Sequence, residues 1–78
     1  MPRFHFHIRE NGRLIPDDEG QEFANGDDVR REAVATGASI ARDAFIAGSA
    51  SQVTVDVRED GAPFLKVSIT LDVEETAE

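Results

Sequence analysis

Three stretches of the chain alternate apolar and polar residues, the pattern of a strand with one buried face. The first stretch places Phe4, Phe6 and Ile8 on one face and polar residues between them. The second and third stretches, residues 53–57 and 65–71, do the same with valine, leucine and isoleucine. We therefore expect these residues to supply most of a sheet's buried side.

An Asn-Gly pair at residues 11–12 follows the first stretch and is a strong signal for a two-residue hairpin turn. Such a turn pairs Ile8 with Ile15, so Ile15 is expected in the core and Leu14 on the outer face. Pro16 is expected to end this second strand, because proline is tolerated only at strand edges and ends.

The last two stretches predict a second hairpin, and its register follows from elimination. A two-residue turn at residues 60–61 would set Val55 opposite Lys66 and spoil both faces. A loop of three or five residues instead sets Val55 opposite Val67, and it brings Asp56 opposite Lys66 as an oppositely charged pair. We therefore expect an odd-length loop.

A helix is predicted from about Asp28 to Ala47 between the two hairpins. Asn25 or Asp27 can cap its start, and Gly48 is a good residue for its end. At 100° per residue, one narrow stripe rich in small residues should face the sheet closely. The stripe consists of Val29, Ala33, Gly37, Ile40, Ala44 and Ala47.

A second apolar row runs beside this stripe with the spacing of a helix–helix seam. It consists of Val34, Ala38, Ala41 and Phe45. Two interpretations stay open: the loop around Phe23 folds over the row, or the row binds a partner or a second copy of the chain.

The element order predicts a two-layer α+β domain of β-β-α-β-β form, with one helix packed on a four-stranded sheet. A β-grasp-like arrangement, in which the first and last strands lie parallel at the centre, is the expected strand order. Residues 1–72 are expected to form this single domain. Residues 73–78 are expected to form an acidic, frayed tail.

Composition removes several classes of function. The 78 residues contain no cysteine, which excludes disulfides and thiolate chemistry. The net charge of −8 argues against general binding to nucleic acid or to anionic membranes. No signal peptide or membrane span is evident, so a cytoplasmic location is expected. No phosphate loop or catalytic triad can be assembled, and we expect neither an enzyme nor a cofactor.

His5 and His7 are the one weak metal candidate, since they share a strand face at about 7 Å. A zinc or nickel site would need a third ligand, and Asp56 is expected to be engaged by Lys66. The expected interpretation is therefore two polar residues on a solvated sheet face.

The sheet face turned away from the helix should be basic although the chain is acidic. The residues expected to line an interaction surface there are Arg3, His5, His7, Arg9 and Phe64. Nucleic acid is disfavoured as a partner, because single-strand platforms stack bases on exposed aromatic rings and only Phe64 would be available. An acidic protein partner fits this face better.

Several segments together resemble a family of short, uncharacterised bacterial proteins, the domain of unknown function 6894. They are the opening Met-Pro-Arg-Phe-His-Phe-His, the segments Arg13-Leu14-Ile15-Pro16-Asp17 and Glu19-Gly20, and Arg31-Glu32-Ala33 in the helix. The resemblance implies a small cytoplasmic protein that stands alone, and it brings no activity or catalytic residue. A weaker likeness to HicB-type antitoxins rests on an apolar hairpin followed by an acidic turn and a helix.

The expected function is a non-enzymatic protein-interaction module that self-associates, using the basic sheet face or the row from Val34 to Phe45. Two alternatives remain: a small metal- or ligand-binding protein that uses His5 and His7, and an antitoxin-like regulator. The sequence names no partner and no pathway.

Overall fold

A computed structural model describes residues 1–76, which form one helix and a five-stranded antiparallel sheet. The elements are β1 (Arg3–Glu10), β2 (Arg13–Ile15), β3 (Gln21–Glu22), α1 (Gly26–Ala47), β4 (Gln52–Glu59) and β5 (Ala62–Thr70). Because α1 packs on one side of the sheet, mainly on β4 and β5, the predicted α+β class is confirmed.

The predicted β-grasp-like strand order is wrong. The sheet runs β2-β1-β4-β5, β3 also pairs with β1, and β1 lies antiparallel to β4. The reason lies in β4, whose Val53, Val55 and Val57 are fully buried. These short side chains make β4 the strand that a helix of small residues covers best, which leaves β5 at the edge.

The first hairpin has the predicted register, with Ile8 opposite Ile15 and Arg9 opposite Leu14. The prediction that Ile15 joins the core is wrong, since Ile15 is 40% exposed. The helix lies over the far half of the sheet, so nothing in the described residues covers the three-residue strand β2.

The second hairpin has the predicted backbone register, with Val55 opposite Val67 and Asp56 opposite Lys66, but its turn is not the predicted one. The turn is the two-residue Asp60-Gly61 type that the prediction rejected, with Glu59 opposite Ala62. A bulge after Val57 then adds one residue on β5 and restores the apolar register.

The helix begins and ends close to the predicted positions. Asn25 caps its start, where the side chain accepts a hydrogen bond from the Asp28 amide at 2.9 Å. Gly48 ends it in the left-handed conformation with φ 74°. Gly37 has the packing role that its position predicted: a Cβ there would lie 3.1 Å from Val55 Cγ2.

The buried side of the helix is rotated slightly from the predicted stripe. Ala41 is buried, Ile40 is half-buried and Ala47 is exposed. Leu71 was expected in the core but is 38% exposed, since it lies one residue beyond the end of β5, although its amide still donates to the Ser51 carbonyl.

The predicted tail, residues 73–78, follows β5. Residues 73–76 are exposed and form no helix or strand, while residues 77–78 lie outside the described part of the chain. The one helix of the described chain, α1, is not apolar enough to cross a membrane.

Candidate functional site

The two faces of β1 are divided as the alternating pattern predicts. Phe4 is only 3% exposed on the helix side, and Phe6 packs against the same core. Phe23 joins them, with its ring 5.9 Å from Phe4 and 5.7 Å from Phe6 between centroids. His5 and His7 therefore lie on the opposite side of the sheet, where both are half-buried.

This opposite side, named here the open sheet face, contains a shallow concavity of about 440 Å³. Its lining is polar and comes from β1, β4, β5 and the first hairpin. The lining residues are His7, Arg9, Asn11, Leu14, Gln52, Thr54, Asp56, Arg58, Lys66 and Ser68.

The open sheet face is not bare beside the imidazoles, because residues 16–20 loop over the edge of β1. β2 and β3 pair with the two ends of β1 on the side away from β4, and they leave the middle of β1 without a strand partner on that side. The Asp17 carboxylate takes that place: its Oδ2 accepts the Phe6 amide at 3.0 Å. One side chain thus replaces a strand residue at this edge.

The same carboxylate organises its own loop. Asp17 Oδ1 accepts the amides of Glu19 at 3.2 Å and Gly20 at 3.0 Å. The backbone amide of Asp17 in turn donates to His7 Nδ1 at 3.1 Å. Asp17 is therefore tied to both the strand and the loop.

These bonds affect the acidity of Asp17. Burial acts to raise the pKa, but hydrogen bonds from the amides of Phe6, Gly20 and Glu19, together with a Coulombic interaction with nearby His5, outweigh it. The pKa of Asp17 is therefore lowered from its ordinary value of 3.8. The ionised form is the one that closes the edge.

Gly20 fits this closure for two reasons. Its φ of +73° is strained for any residue with a side chain. A Cβ there would also lie 2.8 Å from His5 Nε2 and 3.0 Å from Arg3 Cγ. The loop can thus lie directly against His5 only with glycine at this position.

The two imidazoles stack with centroids 6.2 Å apart, in the proximity that the metal hypothesis requires. His7 Nδ1 is engaged by Asp17, which leaves Nε2 as its available nitrogen. Within residues 1–76, no group of three or more acidic or histidine side chains is arranged to hold a metal ion.

The bases of the open sheet face differ in how far they are engaged. Arg58 donates two hydrogen bonds to Asp56 Oδ2, both at 3.2 Å, so Asp56 pairs with Arg58 and not with Lys66 as predicted. Arg3 donates to the Glu19 carbonyl at 2.8 Å. Arg9 makes a longer bond of 3.4 Å to the Gly12 carbonyl.

Lys66 and Arg9 are thus the exposed bases that face solvent beside the concavity. Within the described residues, Lys66 makes no ion pair. Asn11 is occupied structurally, since its Oδ1 accepts the amides of Ser51 and Gln52, both at 3.1 Å. That contact fixes the first hairpin against the start of β4.

Phe64 does not lie on the open sheet face, so the prediction that placed it there is wrong. Its ring meets Phe4 at 5.0 Å between centroids, on the helix side. A Cβ on Gly26 would lie 3.1 Å from it. The bulge in β5 explains the difference, because the extra residue breaks the alternation that the prediction assumed.

The predicted row on the helix is only partly exposed. Ala41 is 2% exposed and belongs to the core, which corrects its place in a surface row. Phe45 is half-buried against the core, whereas Val34 is 45% exposed and Ala38 is exposed. Phe23 packs on Phe4 and Phe6.

Asp17 is the residue that the sequence interpretation missed, because it was assigned to a wet polar turn. A signal was present: an aspartate directly after the strand-ending Pro16, with Gly20 three residues later, is the pattern of a side chain that caps its own loop. The bond to the Phe6 amide, eleven residues away along the chain, has no local signature.

The model of one protein family, described as a domain of unknown function (DUF6894), matches residues 3–70. The match covers all five strands and the helix. No curated protein and no solved structure matches the chain. The likeness to HicB-type antitoxins therefore receives no support from these comparisons.

Proposed function

Because this chain belongs to the DUF6894 family, and membership assigns no activity, we propose a function from the geometry of its own surface. The chain is a non-enzymatic interaction module that binds an acidic protein segment on the open sheet face. Residues 71–78 of a second copy of the chain are one such acidic segment. The observation that carries the proposal is the collection of bases on one concave face of a protein with net charge −8.

The chemistry of the lining supports a carboxylate ligand. Lys66 and Arg9 are exposed at the concavity, and Thr54 and Ser68, which lie opposite each other on β4 and β5, line it as well. Asp56 is the one acid in this lining, and Arg58 neutralises it. Ammonium, guanidinium and hydroxyl groups together can donate hydrogen bonds to carboxylates along an extended segment.

The same lining disfavours a single-stranded nucleic acid as the ligand. Base stacking needs exposed aromatic rings, and Phe64 lies on the other side of the sheet. Among the described residues that line the concavity, the imidazole of His7 is the one aromatic ring.

Fluorescence anisotropy with a labelled acidic octapeptide, the sequence of residues 71–78, tests the proposal. We expect binding that weakens with salt and that falls at least about tenfold in an Arg9→Glu, Lys66→Glu double variant. Arg42→Glu is the matched control, because Arg42 is an exposed base on the helix. A peptide with glutamine and asparagine in place of its acids should not bind.

Equal binding by the wild type and the double variant would overturn the proposal. Tight binding of oligo(dT) with no binding of the acidic peptide would move the function to the nucleic-acid class instead.

A further inference from the structure

The second edge of the sheet, β5, differs from the first in having no cover within the described residues. β5 pairs with β4 on one side only, over nine residues from Ala62 to Thr70. The Leu71 amide donates to the Ser51 carbonyl on the β4 side of this ladder. Since backbone groups alternate along a strand, the amides of Lys66 and Ser68 point away from β4.

We infer that this free edge pairs with the β5 edge of a second copy of the chain, so that two sheets become one. The inference rests on the proposed function only in making the chain an interaction module, since it uses the backbone edge of β5 and not the side chains of the concavity, which Lys66 and Ser68 also line. An unpaired row of amides and carbonyls is a template for another strand, and three observations favour a second copy as its source.

The first observation is the self-complementary order of residues along β5. An antiparallel pairing about Val67 places Val67 opposite itself and Leu65 opposite Ile69 of the second copy. Lys66, the one charged residue of β5, then faces a serine hydroxyl, Ser68 of the second copy. Like charges do not meet in this register, and the outward amides of Lys66 and Ser68 fall where such a ladder has its hydrogen-bonded pairs.

The second observation is the incomplete burial on the helix side of β5. Leu65, Val67 and Ile69 are half-buried, whereas the valines of β4 beside them are fully buried. A second β5 strand would cover these three side chains with identical apolar neighbours. A two-fold interface of this kind buries the same patch on both copies.

The third observation is the position of the helix. α1 packs on both β4 and β5, so its axis lies between them, about 2.4 Å from β5 on the side of β4 at a strand spacing of about 4.8 Å. A two-fold axis midway between the paired β5 strands then sets the two helix axes about 10 Å apart. Packed helices lie 8–10 Å apart, so the helices would meet as the strands pair.

The surface that the helix presents there is suited to this contact. Gly37 faces Val55 as well as Val67 and Ile69 of β5. Because α1 starts beside Phe64, near the start of β5, and reaches Ile69, near its end, at Gly37, it runs in the same direction as β5 and β1. In a right-handed helix with that direction, the flank of Val34 and Ala38 lies on the β5 side of the axis. This flank is exposed and apolar, and the small side chain of Ala38 permits the helix of the second copy to approach closely.

Sedimentation equilibrium of the full chain tests the inference. We expect a mass of twice the 8.5 kDa protomer at high concentration. Ser68→Pro removes an outward amide without touching the β4 ladder and should raise the dimer dissociation constant at least about tenfold. Ser68→Ala is the matched control and should leave that constant within about twofold.

A second pair of variants tests the helix contact without changing the strand. Val34→Glu should weaken the dimer at least about tenfold, whereas Ala35→Glu, one residue further around the helix, should not. Circular dichroism establishes that each variant is folded.

A wild type that remains monomeric at millimolar concentration would overturn the inference. A dimer that is unaffected by both Ser68→Pro and Val34→Glu would also overturn it. Arg9→Glu separates the two proposals: it should weaken binding of the acidic peptide and leave the dimer mass unchanged. If the wild type forms the dimer but does not bind the acidic peptide, the proposed function fails and the inference stands. If it binds the peptide but remains monomeric, the inference fails and the proposed function stands.

Discussion

The two edges of this sheet differ in what happens to their unpaired backbone groups. At the β2–β3 edge the strand is interrupted, and a carboxylate from Asp17 takes the amide of Phe6 that a neighbouring strand would otherwise take. At the β5 edge nine residues, with one bulge at Phe64, have no cover from the described chain. Natural sheets protect exposed edges with short strands, bulges and charges. β5 carries a bulge and Lys66, but within the described residues no group bonds to the outward amides of Lys66 and Ser68, so only the β2–β3 edge is closed within the protomer.

The difference also separates the roles of the charged residues. Asp17 and Arg3 are engaged at the closed edge, where their bonds hold the loop of residues 16–20. Lys66 and Arg9 are exposed, which is the condition for binding a partner. The net charge does not reveal this division, because it adds charged groups that stabilise the loop to charged groups that are free to bind a partner.

Proline substitutions on β5 should give the largest difference in stability between its two sides. Val67→Pro removes an amide that faces β4 and should lower the free energy of unfolding by about 3 kcal/mol or more. Ser68→Pro removes an amide that faces outward and should cost about 1 kcal/mol or less in the dilute monomer. Urea denaturation at low protein concentration measures both. Equal losses would show that the outer amides of β5 already have partners within the protomer.

At the closed edge, Gly20→Ala should lower the free energy of unfolding by about 1–3 kcal/mol. The φ of +73° is strained for alanine, and the added Cβ would clash with His5. Gly12→Ala is the control, since a Cβ there meets nothing within 4 Å. It should change stability by no more than about 0.5 kcal/mol. Similar losses in both variants, again by urea denaturation, would contradict the close fit of the loop on His5.

The Asp17 carboxylate should contribute a smaller amount. Asp17→Asn keeps the shape of the side chain but removes the charge that accepts three amides, and it should cost about 1–2 kcal/mol at pH 7. Asp18→Asn, in an exposed neighbour, is the matched control and should be nearly neutral. Thermal unfolding of the two variants should therefore separate clearly, with the Asp17 variant melting lower.

The same group predicts a pH dependence. The pKa of Asp17 is lower in the folded chain than its ordinary value of 3.8, so the unfolded chain binds the proton more readily. Its contribution is complete well above pH 3.8 and is lost as the pH falls through the folded value. The stability difference between wild type and Asp17→Asn should shrink over that range. A difference that stays constant from pH 7 to pH 2 would contradict the account.

Sequence patterns specified the helix, four of the five strands and the registers of both hairpins, because alternation and turn residues act between neighbours along the chain. The two-residue strand β3 makes the sheet five-stranded instead of four-stranded as predicted, and it is too short to show an alternation. The patterns did not specify the strand order, which depends on how well α1 covers the small valines of β4. The bulge that moves Phe64 to the helix side also lay beyond the pattern, since an added residue breaks the alternation on which the prediction depends.

The candidate site shows the same limit. The face that His5 and His7 occupy was predictable from period-two alternation, and so was the excess of bases around them. The Asp17 closure was not, because its main bond joins residues distant in sequence. The pairing of Asp56 with Arg58 depends on side-chain direction along one strand, which cross-strand register alone does not fix.

Amide hydrogen exchange, followed by NMR at two protein concentrations, tests the difference between the edges most directly. The Phe6 amide should be protected at both concentrations, because Asp17 of the same chain holds it. The amides of Lys66 and Ser68 should exchange rapidly in the dilute sample and become protected in the concentrated one. Protection of Lys66 and Ser68 in the dilute monomer, or rapid exchange at Phe6, would contradict the account.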